Sequence, residues 1–298
     1  MLLSILIPTY NSETTIKKCV ESALNQDYNE EYEIIVANNA STDSTAEILS
    51  SIADSRLRII TNPQTISLWE NHKILLTQAQ SDYIVFLHSD DELLPDALKI
   101  LSNCIKKRLN PKRYILWGES MVNDVSDWWE GIHSMLTYNT MISGVLAKRL
   151  MLMGKSPQPT GTCYSREALL NIDAIWPDTC SDWGITAWAA FNYFEFEMTD
   201  RLLFKREFSS SWDKMSKQER NMAISQQQEA FWNKCVVANK DKELKTMYWE
   251  FDISFWDTFF FNRGNRSEKL AICKRQIQRN PLRIKKYIKY LFVYLGLK

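Results

Sequence analysis

Residues 81–98 have the sequence SDYIVFLHSDDELLPDAL, in which an apolar run is followed directly by a cluster of acidic residues. It opens with a run from Tyr83 to Leu87, whose length and β-branched and aromatic content predict a buried strand. A polar cluster follows at once: His88, Asp90, Asp91 and Glu92. In an open α/β sheet, ligands bind beyond the carboxyl ends of strands, where carboxylates can hold a hard divalent cation. A solvated acidic loop that caps a helix is the alternative for such a cluster taken alone.

The first 120 residues alternate between apolar runs and helical patterns. Four further strands are predicted, at Leu2–Thr9, Tyr32–Ala37, Leu57–Thr61 and Tyr114–Trp117. Helices are predicted between them, one with Asn11 or Ser12 as its cap, one through residues 46–52, one opened by Ser67 and Glu70 as a capping box, and one over residues 95–109. This alternation predicts right-handed βαβ units and a mostly parallel sheet.

The composition is that of a globular protein with an ample core, because 45% of the 298 residues are hydrophobic and 24% are charged. Six scattered cysteines form no CxxC pair, which favours free thiols in a reducing cytoplasm. The start, MLLSILIPTY, has no basic lead and predicts a first strand rather than a signal peptide. No apolar run reaches the roughly 20 residues that a membrane-spanning helix needs.

The net charge of zero hides an asymmetry along the chain. Residues 263–298 hold eleven of the 36 basic residues and one of the 36 acidic ones, which leaves 25 basic and 35 acidic residues in the rest. The end of the chain, NPLRIKKYIKYLFVYLGLK, alternates apolar and basic residues in an amphipathic helical pattern. Two interpretations stay open: a helix on an anionic membrane surface, and a helix packed on the acidic body. Nucleic-acid binding is not expected, because these basic residues include no recognisable reading motif.

The pattern changes in the second half of the chain. Strands are predicted at residues 160–165 and 201–208, and a helix at Ser181, whereas residues beyond about 213 read as helical. We therefore predict one α/β domain over residues 1–212, with halves 1–120 and 121–212, and a helical region over residues 213–298 with a basic amphipathic end.

Three stretches, in order, carry a resemblance to a known family: SILIPTYNSETTIKKCVESALNQ, YEIIVANNASTDST and YIVFLHSDDELL. Over about the first 100 residues the sequence resembles family 2 glycosyltransferases, of the kind that builds bacterial surface polysaccharides. The resemblance implies the GT-A fold, which is Rossmann-like with a mostly parallel central sheet flanked by helices, here with a helical C-terminal extension. It implies a bound Mn²⁺ or Mg²⁺ and a nucleotide-sugar donor, with a UDP-sugar expected.

The resemblance also assigns residues to the donor. Pro8, Thr9 and Tyr10 match the first loop that meets the nucleotide, and Tyr10 could stack near the base or pack at the rim. The turn after the second strand matches at Asn38, Asn39 and Asp43. Because the family usually has a carboxylate against the base here, the two amides are a departure, although an amide can both donate to and accept from a base.

The metal and the base are assigned in the same way. Asp90 is the expected metal ligand, with His88 as a second contact and Ser89 beside the donor, while Asp91 orients donor or acceptor. The expected catalytic base is Asp182, and a first-turn acid that complements the helix dipole is the alternative. Arg206 matches a late arginine that can face the diphosphate. Trp128, Trp129 and Trp183 are candidates for sugar stacking.

The function implied is an inverting glycosyltransferase, of hexosyltransferase type, that moves a sugar from a nucleotide diphosphate to a hydroxyl of a glycan or lipid-linked acceptor. It would work in the cytoplasm, at the inner face of the plasma membrane. Two alternatives stay open: a non-catalytic sugar-nucleotide or glycan-binding module, and a nucleotidyltransferase. The latter usually needs a glycine-rich phosphate loop, and IPTYNSETT contains no glycine.

Overall fold

The architecture is known from a computed structural model. It describes residues 3–108, 114–122, 141–142, 160–170, 189, 195–206, 216, 261, 264–279, 281–282 and 284–297. The strands are β1 Leu3–Thr9, β2 Tyr32–Asn38, β3 Leu57–Thr61, β4 Tyr83–Phe86, β5 Glu92–Leu93, β6 Tyr114–Val122, β7 Met141–Ile142, β8 Cys163–Ser165 and β9 Glu195–Arg206. The helices are α1 Ile16–Leu24, α2 Thr45–Ser50, α3 Leu68–Gln78, α4 Ala97–Lys106, α5 Arg166–Leu170, α6 Arg266–Arg279 and α7 Ile284–Tyr294.

The described strands form one sheet in the order β3-β2-β1-β4-β8-β6-β9-β5, with β7 also paired to β9. The first four strands of this order are parallel, and the register sets Thr9 of β1 opposite Asn38 of β2, and Leu6 opposite Phe86 of β4. The carboxyl ends of β1, β2 and β4 therefore meet at one edge of the sheet. This confirms the predicted α/β sheet flanked by helices.

The sheet is mixed beyond β4. Strand β8 runs antiparallel to both β4 and β6, β6 and β9 are parallel, and β5 is antiparallel to β9. The predicted strands at residues 114–117, 160–165 and 201–208 are confirmed with changed bounds, since β6 and β9 are longer and β8 is shorter. Parallel pairing thus describes the sheet up to β4 and only the β6–β9 pair after it.

The hydrophobic core explains why the middle of β1 and of β2 is a continuous apolar run. Every residue of β1 is buried, as are six of the seven residues of β2. A parallel strand covered by helices on both faces must be apolar on both faces. Side chains from α1 and α4 fill one of these faces, among them Val20, Ala23, Leu98 and Leu101.

The predicted helix starts are confirmed at one position and wrong at another. Ser67 and Glu70 form the predicted capping box at the start of α3. By contrast, Thr15 precedes the first residue of α1, and neither Asn11 nor Ser12 caps it. Both Asn11 and Ser12 instead bond to the turn after β2, so the chain completes a turn before the helix begins.

Helices α6 and α7 pack against each other as an antiparallel hairpin near the end of the chain. Ile272 and Cys273 of α6 and Val293 of α7 are buried. None of the helices in the described part of the chain combines the length and apolar character that crossing a bilayer requires. Most of the predicted helical region between residues 213 and 263 lies outside the described residues, so the domain division at residue 212 stays a prediction.

Substitution of the buried amide Asn71 tests how the sheet is tied to α3. Asn71 Nδ2 donates to Ala37 O at 3.0 Å, and its Oδ1 accepts from Asn62 Nδ2 at 2.8 Å. Since Asn71→Ala leaves these groups buried and unsatisfied, we expect the free energy of unfolding to fall by about 2–3 kcal/mol in urea denaturation. The exposed Gln64→Ala is the control and should change it by less than about 0.5 kcal/mol. Equal effects of the two substitutions would contradict the structural role of Asn71.

A second prediction concerns the pH dependence of stability. His72 is buried against Trp69 and Phe86, its Nδ1 lies 2.7 Å from Leu68 O, and its Nε2 is buried with no hydrogen bond. Burial, assisted by the charge of His88, lowers the pKa of His72 to about 3. An unfolded histidine titrates near 6.5, so between these values the unfolded chain takes up a proton that the folded chain does not.

Stability should therefore fall as the pH falls from about 6.5, by up to about 1.4 kcal/mol per pH unit from this residue. The His72→Phe variant lacks this term, so its unfolding free energy should decline less steeply between pH 7 and pH 5. Urea denaturation at each pH measures both slopes. Parallel slopes would show that His72 does not resist protonation in the folded protein.

Candidate active site

The acidic turn, defined as residues 88–92, lies at the carboxyl end of β4. His88, Asp90 and Asp91 each offer one ligand atom, and these three atoms lie within 4.8 Å of one another. Asp91 is buried, whereas His88 and Asp90 are half-buried. The structure thus brings together the two predicted metal ligands, His88 and Asp90, with Asp91, which was predicted to orient the donor or the acceptor.

Contacts from three other parts of the chain, and one bond within the turn, hold this turn in place. His88 N donates to Thr160 Oγ1 at 3.3 Å, and Asp91 N donates to His88 O at 3.0 Å. The Cys19 thiol donates to the same His88 carbonyl at 3.3 Å. Ser89 Oγ lies 2.8 Å from Ser12 Oγ, which joins the acidic turn to the loop after β1.

The pKa of the Cys19 thiol depends partly on the negative charge of the acidic turn. Burial raises the pKa of the Cys19 thiol, and the charges of Asp91, Asp90 and Glu92 raise it further. The thiol therefore stays protonated and serves as a hydrogen-bond donor, not as a thiolate ligand or nucleophile. The same concentration of negative charge favours a cation at this place.

The donor set of the acidic turn fits a divalent cation. Two carboxylate oxygens suit Mg²⁺ and Mn²⁺, while an imidazole nitrogen is more common around transition metals. A site that uses His88 with Asp90 and Asp91 therefore fits Mn²⁺ better than Mg²⁺. The His88 ring also meets the edge of the buried His72 ring, with centroids 5.9 Å apart, which limits how far the His88 ring can turn.

The loop after β1 forms the neighbouring part of the same edge. Pro8 and Thr9 are buried at the end of the strand, and the Oγ1 of Thr9 is buried without a hydrogen bond. Tyr10 follows with 49% of its surface exposed. Two residues have a positive φ: Asn11 in the loop after β1, with φ of 48°, and Ala40 in the turn after β2, with φ of 53°. Such left-handed backbone is costly for alanine and implies that surrounding contacts hold it.

Those contacts run between the loop after β1 and the turn after β2. Five backbone N–H groups donate to side chains across the gap: Asn11 N to Ser41 Oγ at 3.0 Å, Thr42 N to Asn11 Oδ1 at 2.9 Å, Ser12 N to Thr45 Oγ1 at 2.8 Å, Glu13 N to Asp43 Oδ2 at 3.1 Å, and Ser44 N to Glu13 Oε2 at 3.0 Å. The two segments therefore form one preorganised rim beside the acidic turn.

Asp43 is fully engaged in this rim. Its two carboxylate oxygens accept from the backbone of Glu13 and of Thr45. Partial desolvation opposes its ionisation, but the hydrogen bonds from Thr45 and Glu13 outweigh it and hold the pKa of Asp43 below its usual range. These interactions are those of a turn and helix-start residue, and a contact of Asp43 with the donor stays a prediction.

Asn38 and Asn39 also bond within the protein. Asn38 Oδ1 accepts from Ser41 N at 3.1 Å. Asn39 Oδ1 accepts from Asn62 Nδ2 and Ile66 N, both at 3.0 Å, and its Nδ2 donates to Ile66 O at 2.9 Å. Asn39 therefore anchors the segment between β3 and α3, and its predicted contact with a nucleobase is untested.

The remaining predicted residues are placed only in part. Arg206 ends β9, one residue after Lys205, which pairs with Glu92, so its backbone lies beside the acidic turn. Its side chain is not among the described ones. The predicted base Asp182 and the three tryptophans Trp128, Trp129 and Trp183 also lie outside the described residues.

Sequence reasoning missed several residues that shape this site. Thr160 and Cys19 support the acidic turn, and Asn62 and Asn71 complete the buried amide network behind Asn39. The signal available was the position of Asn62 directly after a strand, a place where polar residues gather in α/β sheets. Nothing in the local sequence of Cys19 or Thr160 indicates a contact more than 60 residues away.

Comparison with known proteins agrees with this geometry. Residues 4–146 match the family described as Glycosyl transferase family 2. The chain is 42% identical over 90 residues to the Escherichia coli protein named UDP-Glc:alpha-D-GlcNAc-diphosphoundecaprenol beta-1,3-glucosyltransferase WfaP, which is 30% of this chain and 36% of that one. The aligned segments cover between 11% and 43% of the curated relatives' own lengths, so the chain spans less than half of each.

Solved structures show the same fold over a larger part of the chain. TarS 1-349 of S. aureus in complex with UDP-GlcNAc superposes with a TM-score of 0.62 at 18% identity, covering 92% of this chain and 79% of that one. The mannosyltransferase PcManGT from Pyrobaculum calidifontis, in complex with GDP-Man and Mn²⁺, gives 0.57 at 16% identity, covering 98% and 85%. The fold is GT-A, and residues 4–146, just under half of the chain, are similar to glycosyl transferase family 2.

Proposed function

We propose that this protein is an inverting glycosyltransferase that moves a sugar from a nucleotide-diphosphate donor to a hydroxyl of a glycan or lipid-linked acceptor. The observation that carries the proposal is the convergence of His88, Asp90 and Asp91 at the edge where β1, β2 and β4 end. The match of residues 4–146 to glycosyl transferase family 2 supports the class of reaction.

The acidic turn would hold a divalent cation through Asp90 and His88. When bound, such an ion neutralises the charge that develops on a departing nucleoside diphosphate. Asp91 is buried beside these ligands and orients the donor or the acceptor through its carboxylate. The side chains of Thr160 and Ser12, bonded to His88 N and to the Ser89 hydroxyl, hold the turn before any ligand arrives, so little reorganisation is needed when the donor binds.

The donor would lie along the rim beside the acidic turn. Tyr10 presents an exposed ring that can stack on a nucleobase, and the buried Oγ1 of Thr9 could bond to the nucleotide after a small side-chain rotation. A UDP-sugar is the donor proposed, supported by the TarS complex with UDP-GlcNAc and by the name of the E. coli relative. Arg206 would face the diphosphate.

Attack by a sugar hydroxyl needs a base, because a hydroxyl is a poor nucleophile until its proton is removed as the bond forms. We assign this role to Asp182, from its match to the acidic residue of the family. Inversion follows when the base and the diphosphate lie on opposite sides of the anomeric carbon.

The acceptor and the location follow from the relatives by analogy. Proteins of E. coli and Campylobacter jejuni that are similar to this chain carry names that specify undecaprenol-linked acceptors. An acceptor on a lipid carrier would place the reaction at the cytoplasmic face of the plasma membrane, with the soluble donor arriving from the cytoplasm.

The first test asks whether the acidic turn makes donor chemistry metal-dependent. We expect the protein to be stabilised in thermal-shift assays by UDP-glucose or UDP-GlcNAc together with Mn²⁺, and to hydrolyse one of them slowly. Asp90→Ala should reduce the Mn²⁺-dependent hydrolysis by about 100-fold or more, because a metal ligand is lost.

Asp27→Ala is the matched control for this test. Asp27 is an exposed carboxylate paired with Lys99, so its loss should leave hydrolysis unchanged. Full activity of Asp90→Ala would contradict the metal assignment. Donor binding without any hydrolysis or transfer would favour the non-catalytic binding module.

A separate prediction concerns the base. Asp182→Asn should lower kcat for transfer about 10²–10⁴-fold, because proton removal is lost while the shape of the side chain is kept. The KM for the donor should stay within about threefold, since the base acts on the acceptor. Steady-state kinetics with a synthetic acceptor measure both constants. An unchanged kcat would transfer the role of base to another carboxylate.

A further inference from the structure

Helix α7 is oriented with its apolar side toward solvent. Nine large hydrophobic residues of the terminal segment are between 41% and 91% exposed: Leu282, Ile284, Tyr287, Ile288, Leu291, Phe292, Tyr294, Leu295 and Leu297. The one buried residue of α7 is Val293, which faces α6. A helix that packed its apolar side on the body would show the opposite distribution.

The exposed residues form one continuous strip along the helix. At about 100° per residue, Ile284, Ile288, Leu291 and Leu295 fall within roughly 60° of one another. Three tyrosines follow along one border of this strip, at positions 287, 290 and 294, and the exposed Lys285 lies at the other border. We call this strip with its borders the outer face of α7.

Two lysines of α7 are used on the opposite side. Lys286 Nζ donates to Gln276 O of α6 at 2.8 Å, and Lys289 Nζ lies 3.7 Å from the centre of the buried Phe261 ring. These contacts fix the rotation of α7 about its axis. The outward orientation of the apolar strip is therefore held by bonds on the inner side of the helix.

Among the described residues, α7 thus packs on α6 through its inner side and leaves its apolar strip exposed. We propose that the outer face of α7 binds the surface of an anionic lipid bilayer, with the helix axis parallel to the membrane. The proposal rests on the proposed function in one respect, since a lipid-linked acceptor gives the attachment its use.

Three properties favour a bilayer as the occupant. The apolar arc, about 160° wide with its aromatic borders, resembles an interfacial helix more than the narrow seam of a coiled coil. Tyrosines at the border of an aliphatic strip suit the level of lipid headgroups, where their rings are buried and their hydroxyls are hydrated. Residues 263–298 carry a net charge of +10, from eleven basic residues and one acidic residue, which anionic lipids attract.

The same charge disfavours a second copy of the chain. A symmetric dimer through the outer face would bring two segments of +10 together, and their repulsion would oppose association at low salt. An anionic bilayer would instead attract the same segment, because its headgroups are negatively charged.

Flotation of the full chain with vesicles tests the proposal. We expect it to float with phosphatidylcholine vesicles that contain about 30% phosphatidylglycerol at about 0.1 M salt, and less with phosphatidylcholine alone or at about 1 M salt. Ile288→Glu places a charge in the middle of the outer face and should reduce the vesicle-bound fraction at least tenfold.

Gln278→Glu is the matched control, because Gln278 is exposed on α6 and the substitution adds the same charge outside the outer face. It should retain flotation within about fivefold, since one charge near a membrane contributes about 1 kcal/mol, which is roughly a fivefold change in binding. Similar losses for both variants would assign binding to charge alone and overturn the role of the apolar strip. Circular dichroism of Ile288→Glu should match the unsubstituted protein, which shows that the loss is not unfolding.

Two further outcomes separate this proposal from its rivals. Absence of flotation with anionic vesicles, together with a dimer in light scattering that Ile288→Glu converts to monomer, would identify a second copy as the occupant. Donor hydrolysis by Ile288→Glu in vesicle-free solution should equal that of the unsubstituted protein. Loss of flotation with intact hydrolysis supports the membrane role, whereas flotation without any hydrolysis would refute the proposed function and leave the membrane role standing.

Discussion

The pairing of β1 with β2 on one side and β4 on the other is the constraint on which the site depends. Because the three strands are parallel, their carboxyl ends reach the same edge, and each delivers a different loop to it. Strands β1 and β4 are buried, and the candidate site residues are the last residues of the strands, such as Thr9 of β1 and Asn38 of β2, or follow them directly. The chemistry is therefore confined to the carboxyl ends of the strands, which is the general behaviour of open α/β sheets.

The edge is built in two layers that do different work. At the surface of the edge are the acidic turn and the exposed ring of Tyr10. Behind them, Asn39, Asn62 and Asn71 bond to one another and to the backbone. Asn38 and Asn39, the two amides that depart from the family pattern, both bond within the protein.

Charge is distributed so that two parts of the chain suit different partners. Burial raises the pKa of the Cys19 thiol and the carboxylates of the acidic turn raise it further, and this concentration of negative charge suits a cation. The terminal hairpin concentrates positive charge and turns hydrophobic side chains outward. A transferase that takes a soluble donor and a lipid-linked acceptor has a use for both surfaces, since the two substrates arrive from different phases.

The sequence by itself determined the strands of the first half, the capping box at Ser67, the acidic turn after β4 and the amphipathic character of the terminal helix. These features are local, because strand burial, helix capping and helical periodicity are expressed in residues that lie near one another in the chain. Tertiary structure alone decided that β8 enters antiparallel between β4 and β6, that Thr160 and Cys19 support the turn, that Asn39 faces inward, and that α7 turns its apolar side to solvent. Each of these depends on contacts between residues distant in sequence, or on which side of an element meets a neighbour, and neither periodicity nor motif spacing encodes that choice.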